Sequence, residues 1–113
     1  MKIKKFGIHI AELTPRFGTE PGKIRPIVVV QSDLLNNTHP SSIVCPITIH
    51  VLKSANILRV HLPKAISQLR SDSDILVDQI RALDNRRIKK FIGSLSLEQQ
   101  NYLLENLRIL ILE

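Results

Sequence analysis

The 113-residue sequence lacks tryptophan and contains three phenylalanines, one tyrosine and one cysteine. With so few aromatic residues, the core has to be built from Ile, Leu and Val. A lone cysteine excludes an internal disulfide, and no apolar signal segment precedes Glu12, so we expect a cytoplasmic protein. The apolar C-terminal residues are interrupted by Glu105, Asn106 and Arg108, which argues against a membrane-spanning helix and a membrane partner.

Motifs of the common enzyme classes are also missing. The chain has no P-loop, no GxGxxG turn and no GxSxG elbow, and its histidines and cysteine show no metal-ligand spacing. We therefore expect no metal and no cofactor. Cys45 is expected to be a small buried hydrophobic residue, and His9 and His61 are expected on exposed strand faces.

Positive charge is in excess and unevenly distributed. The net charge is +6, and residues 1–95 hold 15 of the 16 Lys and Arg residues but 7 of the 10 acids. This balance favours a nucleic acid, an acidic protein segment or an anionic membrane as partner. A basic protein without such a partner is an equally good interpretation of the charge alone.

Alternating and β-branched segments predict a mainly β (α+β) protein with a single domain over residues 1–113. Strands are predicted at 3–12, 25–31, 43–49, 57–62 and 75–80, the second of them buried on both faces. Asp84 is expected to cap a short helix over 85–90. Ser96 and Gln99 form a capping box before a C-terminal helix with apolar residues at helical spacing. Together these elements predict a small, strongly bent sheet or partly open barrel.

Arg25 combines a constrained backbone with chemistry that suits phosphate. It follows a loop rich in Gly and Pro, Pro26 restricts its backbone, and its guanidinium matches phosphate oxygens. Thr48, at the end of a predicted strand, can add a donor, and Glu20 or Asp78 can act as a base or tune Arg25. Taken singly, these last three residues are better explained as ordinary strand or surface residues, and only convergence in space would make them a site.

Three segments in order resemble the MazF/PemK family of type II toxin–antitoxin toxins. They are GTEPGKIRP at 18–26, VCPIT at 44–48 and DSDILVDQIRALD at 72–84. The resemblance covers almost the whole chain. It implies an SH3-like barrel, a homodimer, and metal-independent, sequence-specific cleavage of single-stranded RNA to 2′,3′-cyclic phosphate and 5′-hydroxyl ends, with growth arrest as the result. It also implies a cognate antitoxin whose acidic tail lies across the RNA groove.

The resemblance also implies roles for single residues. Arg25 and Thr48 fall on the family's catalytic pair, and Glu20 and Asp78 are candidates for tuning it. The candidate RNA-binding residues are Phe17, a hypothetical aromatic platform, and Thr19, Lys23, His50, Lys53 and Gln79.

The chain departs from the family pattern at three positions. Ile8 follows Gly7 where the family usually has an acid, and Thr19 stands where some relatives have histidine. Leu76 stands where some relatives have a second arginine, so more of the chemistry rests on Arg25. Two alternatives remain at this point: a non-enzymatic toxin of the same fold that poisons DNA gyrase, and an inactive RNA-binding homologue. Arg25 and Thr48 argue against the gyrase poison, which needs no phosphate-cleaving centre.

Overall fold

The computed structural model describes residues 2–13, 23–55, 57–64 and 67–113. Within these residues the chain forms seven antiparallel strands and one α-helix. The elements are β1 Gly7–Leu13, β2 Lys23–Val29, β3 Ser41–Thr48, β4 Arg59–Leu62, β5 Ser73–Leu76, β6 Arg81–Asp84, β7 Ile88–Ser94 and α1 Leu97–Leu112. The strand order is β4-β5-β3-β2-β1-β7, and β6 pairs with β3. This bent, open sheet with a C-terminal helix confirms the predicted fold class.

Strand β3 is shared among three neighbours. Its first half pairs with β6, its middle pairs with β2, and its last two residues, Ile47 and Thr48, pair with Ile75 and Asp74 of β5. Because one strand changes partners along its length, the sheet bends sharply there. The end of β3 therefore lies where β2 and β5 diverge.

Two apolar clusters fill the two sides of the sheet. The larger cluster lies under α1 and comprises Ile8, Val28, Cys45, Ile47, Val60, Leu62, Ile75, Val77, Leu95 and Leu103. The smaller comprises Ile3, Ala11, Leu13, Ile27, Val29, Val44, Leu83 and Ile88. Successive residues of β2 enter opposite clusters, which confirms its burial on both faces. Cys45 is buried as predicted, and burial raises the pKa of its thiol to about 12.

Helix α1 begins with the predicted capping box. The Gln99 amide donates to the Ser96 hydroxyl, and the Gln99 side chain accepts from the Ser96 amide. The helix packs on the larger cluster through Leu103, whereas Leu97 and Leu104 are exposed. In the described part of the chain, no helix has the length and apolarity that a bilayer crossing requires.

The region after β5 corrects two sequence predictions. The predicted strand over 75–80 ends at Leu76, and a 3-10 turn over Val77–Gln79 leads into β6. The predicted helix over 85–90 is wrong. Asp84 does cap a turn there, by accepting from the Arg86 amide, but the turn covers only Asn85–Arg87 and β7 follows. Pairing of β7 with β1 supplies backbone hydrogen bonds that outweigh the local capping signal.

Residues in the left-handed backbone conformation shorten two other predicted strands. Phe6 has φ 69°, and the Gly7 amide turns back to the Lys4 carbonyl at 3.0 Å, so β1 begins only at Gly7. Leu58 also has φ 69°, so β4 begins at Arg59.

His9 is the clearest error in predicted exposure. Its side chain is fully buried, because β7 covers β1 and places Phe91 against the imidazole, with ring centroids 5.3 Å apart. Burial lowers the pKa of His9 below the ordinary imidazole value.

Candidate functional site

The pairing of β2 with β3 ends two residues short of both Arg25 and Thr48. Its last pairs are Val28–Cys45 and Ile27–Pro46, and Arg25 and Thr48 each lie two residues beyond them on their own strand. Arg25 is half-buried, and Thr48 is 8% exposed.

The two strands separate at this point. Arg25 pairs with Ala11 of β1, whereas Thr48 pairs with Asp74 of β5. Arg25 and Thr48 therefore lie on strands that diverge at this point. A guanidinium and a hydroxyl are both groups that can donate to phosphate oxygens.

The hydroxyl of Thr48 has a defined orientation. Its Oγ1 accepts a hydrogen bond from the backbone amide of His50, at 3.1 Å. A hydroxyl that accepts in this way can still donate its own hydrogen. Thr48 can therefore offer a donor to a phosphate oxygen without leaving its rotamer.

The segment that follows Thr48 is held by a buried carboxylate. Asp74 is fully buried, and its Oδ2 accepts from the Leu52 amide and from Arg59 Nη1, each at 2.9 Å. Its Oδ1 lies 2.6 Å from His61 Nδ1. Burial by itself would raise the pKa of Asp74, but these three donors hold it below the ordinary carboxyl value.

Arg59 and His61 add two further contacts to the same segment. Arg59 Nη1 donates to the carbonyl oxygen of His50 at 2.8 Å, and His61 Nε2 lies 3.0 Å from the carbonyl oxygen of Ala55. The alternating pattern of residues 57–62 predicts an exposed His61. Its side chain is 40% exposed, but both ring nitrogens contact protein oxygens.

The other predicted site residues lie in different places. Asp78 and Gln79 are exposed on the 3-10 turn between β5 and β6. The turn lies alongside β3, between the Ile47–Ile75 pair of β3 and β5 and the Val44–Arg81 pair of β3 and β6. The charge of Asp78 acts on Cys45, helping to raise the pKa of its thiol. Three residues of strand separate Cys45 from Thr48, or about 10 Å. Among the hydrogen bonds of the described residues, none joins Asp78 or Gln79 to Arg25 or Thr48.

His50 and Lys53 are exposed on the segment held by Asp74, close to the end of β3. Phe17, Thr19 and Glu20 lie outside the described residues, as does the side chain of Lys23.

An open cleft of about 460 Å³ lies beside Pro26. Ile10, Ile49 and Ile92 give it apolar walls, and Arg70 and Lys90 give it two cations. Sequence analysis did not select Arg70 or Lys90, since each lies in a segment without a recognisable motif. Apolar walls with cations at the rim suit a planar ring attached to an anion.

Metal ligands are not grouped in the described residues. Over these ranges the structure contains no cluster of three or more His, Cys, Asp or Glu side chains placed to hold an ion.

Comparison with known proteins identifies relatives of this chain. A family model described as "PemK-like, MazF-like toxin of type II toxin-antitoxin system" matches residues 4–111. Among solved structures, MazF from Deinococcus radiodurans superposes with a TM-score of 0.79 at 21% identity, covering 100% of this chain and 99% of that chain. Toxin MazF-mt6 from Mycobacterium tuberculosis superposes with a TM-score of 0.76 at 23% identity, covering 91% of this chain and 93% of that chain.

A mycobacterial endoribonuclease, solved in complex with its cognate antitoxin, superposes with a TM-score of 0.72 at 13% identity. The alignment covers 95% of this chain and 90% of that chain. At these identities the structural likeness shows a shared fold.

Proposed function

Because the chain belongs to the PemK-like, MazF-like toxins of type II toxin–antitoxin systems, we propose that it is an endoribonuclease that cleaves single-stranded RNA in the cytoplasm and arrests growth. The observation that supports the proposal is the position of Arg25 and Thr48, each two residues beyond the end of the β2–β3 ladder. A cation and a hydroxyl donor are what a pentacovalent phosphorane needs for stabilisation.

In the proposed reaction, the ribose 2′-oxygen attacks the adjacent phosphorus, and the bond from phosphorus to the 5′-oxygen breaks. A base, with Glu20 and Asp78 as candidates, accepts the proton of the 2′-hydroxyl, and the departing 5′-oxygen gains a proton from water. The products are a 2′,3′-cyclic phosphate and a 5′-hydroxyl. Arg25 stabilises the charge on the phosphorane oxygens, Thr48 donates to one of them, and Glu20 and Asp78 are retained as candidates for tuning Arg25.

The proposed RNA path runs past the end of β3 and into the cleft beside Pro26. Arg70 and Lys90 at the cleft can contact phosphates, and an unstacked base can lie against its apolar walls. On the other side, His50 and Lys53 are exposed beside Thr48. The remaining proposed contacts are Phe17, Thr19, Lys23 and Gln79.

We also propose a homodimer and a cognate antitoxin with an acidic tail. Ile24, Ile49 and Leu52 near the candidate site are 71%, 66% and 51% exposed, which is the kind of apolar surface that a second copy can cover. The excess of Lys and Arg in residues 1–95 suits an acidic tail. Sedimentation equilibrium tests the dimer, and salt-dependent binding of an acidic peptide tests the tail.

The decisive experiment compares Arg25→Ala with Arg86→Ala on mixed single-stranded RNA in EDTA. Arg86 is a matched control, because it is an exposed arginine paired with Asp84, away from β3's last residues. We expect discrete fragments with cyclic phosphate ends from the wild type and from Arg86→Ala. Arg25→Ala should cleave about 100-fold to 1,000-fold more slowly, the usual effect of losing an oxyanion donor. Thr48→Ser should retain most of the activity that Thr48→Ala loses.

Full activity of Arg25→Ala would contradict the proposed mechanism. Intact RNA together with trapped gyrase–DNA complexes would identify a gyrase poison instead. Intact RNA that binds with steep salt dependence would identify an inactive RNA-binding homologue.

A further inference from the structure

Strand β7 carries a β-bulge where it borders the cleft. Gly93 pairs with Ile8 of β1, and the next pair along the two strands joins Phe91 to His9. Ile92 is therefore an extra residue on β7 between two consecutive residues of β1. Bulges are common next to functional sites, where they re-aim a side chain. Here the extra residue forms part of the apolar wall of the cleft.

The glycine of this bulge makes room for the side chain of Gln68. A Cβ at position 93 would lie 2.8 Å from Cδ of Gln68, a separation that real Cβ atoms essentially never show. Glycine inside a strand often marks such a close approach. The carboxamide of Gln68 therefore occupies the space that a larger residue at 93 would need, and it lines the cleft from there.

Gln68 and Arg70 give the cleft two different kinds of polar group. Both residues are exposed and both line the cleft. A carboxamide presents a donor and an acceptor side by side, whereas a guanidinium presents donors and a positive charge. The volume of the cleft, about 460 Å³, is within the range of roughly 300–1,000 Å³ that is usual for ligand sites. The cleft can therefore hold a planar ring that has a donor and an acceptor on one edge and a phosphate nearby.

We propose that the cleft binds one adenine base of the RNA and that Gln68 is the residue that recognises it. This assignment rests on the proposed function, because it takes RNA as the ligand. Adenine has an adjacent donor and acceptor on each of two edges, N6–H with N1 and N6–H with N7. A carboxamide can pair with either edge through two hydrogen bonds, which is why Gln is a usual partner of adenine. The ring lies against Ile10 and Ile92, and Arg70 and Lys90 contact the neighbouring phosphate.

Nucleotide binding tests this subsite without any cleavage. AMP, CMP, GMP and UMP are titrated separately into the protein, and the NMR shifts of the Ile10 and Ile92 amides, on two walls of the cleft, are followed. We expect AMP to bind at least about fivefold more tightly than the other three, the low end of the discrimination given by one bidentate pair. The absence of shifts at these amides with all four nucleotides, or equal affinity for all four, would overturn the subsite.

Gln68→Met keeps the length of the side chain and removes the carboxamide. This variant should bind AMP about fivefold more weakly than the wild type does, and no better than it binds the other nucleotides. Arg70→Gln should weaken all four by a similar factor, because a phosphate contact carries no base preference. Gln100→Met is the matched control, since Gln100 lies on α1 and donates to the Leu95 carbonyl. A preference for AMP that survives Gln68→Met would overturn the role of Gln68.

Mapping of cleavage sites on mixed single-stranded RNA then connects the subsite to the proposed reaction. Wild-type sites should share an adenine at one fixed position relative to the cut. Gln68→Met should lose the preference at that position and keep the preferences at other positions. Slower cleavage at every site with the adenine preference unchanged would indicate a structural role only and would overturn the specificity role. If the wild type cleaves no RNA, the proposed function fails, and the nucleotide titrations still decide the subsite.

Discussion

Replacing Asp74 with asparagine is expected to destabilise the protein by about 2–3 kcal/mol. The carboxylate is fully buried and accepts from three donors, two of them on Arg59 and His61. Hydrogen bonds to charged groups contribute about 1.5–3 kcal/mol each. Asparagine with its oxygen at the Oδ2 position keeps the bonds from Leu52 and Arg59 in uncharged form and turns an N–H towards His61, so at least one charge-assisted bond is lost. Solvent reaches Arg59 and His61, 24% and 40% exposed, and reduces the cost.

The measurement is thermal denaturation followed by circular dichroism. In a protein of this size, 2–3 kcal/mol corresponds to a decrease in Tm of about 10 °C. Asp72→Asn is the matched control: Asp72 is exposed and accepts one bond from the Lys64 amide, which asparagine can also accept. We expect the control to change stability by less than about 0.5 kcal/mol.

The same variant makes a prediction about pH. The pKa of Asp74 is lower in the folded protein than in the unfolded chain, where it is about 3.9. Its contribution is therefore fully present above about pH 4 and is lost as the pH falls through the folded-state pKa. The stability difference between wild type and Asp74→Asn should narrow below about pH 4. Equal unfolding midpoints at neutral pH, or a difference that widens on acidification, would refute the role assigned to Asp74.

Three further predictions concern the rest of the fold. Burial lowers the pKa of His9, so on acidification the unfolded chain takes up a proton at this histidine before the folded protein does. In denaturant titrations, the free energy of unfolding of the wild type should therefore fall below about pH 6.5 relative to that of a non-titrating His9→Asn variant. Leu103→Ala should cost about 2–5 kcal/mol, because Leu103 is fully buried between α1 and the sheet, whereas the same change at exposed Leu97 should cost little in the same assay. Ser96→Ala removes a helix cap and should lower the free energy of unfolding by about 1 kcal/mol, with Ser96→Asp as a stability rescue control.

Local sequence patterns predicted the strands and the helix whose signals lie within a few neighbouring residues. The uninterrupted apolar run around Val28 predicted a strand buried on both faces, and the spacing of Ser96 and Gln99 predicted the helix start. Strand β7 has no comparable pattern, since Lys89, Lys90 and Phe91 are all exposed within it. Its strand conformation depends on pairing with β1, and so does the burial of His9.

The candidate site likewise combines residues that a local motif reveals with residues that only the fold brings together. Arg25 and Thr48 could be selected from the sequence because each sits in a short motif, and both lie two residues beyond the end of the β2–β3 ladder. Asp74 could not be selected, because its donors come from positions 52, 59 and 61, which no local pattern connects. The involvement of Asp78 and Gln79 in the candidate site stays a prediction. The turn that carries them lies along β3 near Cys45, and not at Thr48.

The sharing of β3 among three neighbours has a consequence for synthesis on the ribosome. Arg25 and Thr48 emerge well before β5, which carries the carboxylate that secures the segment after Thr48. Contacts between distant parts of a chain form late, because loop closure has to come first. A nascent or truncated chain that ends before Asp74 therefore holds Arg25 and Thr48 without the strand that secures the segment after Thr48. Because the proposed target is RNA, we expect this order of assembly to delay any cleavage until β5 has been translated.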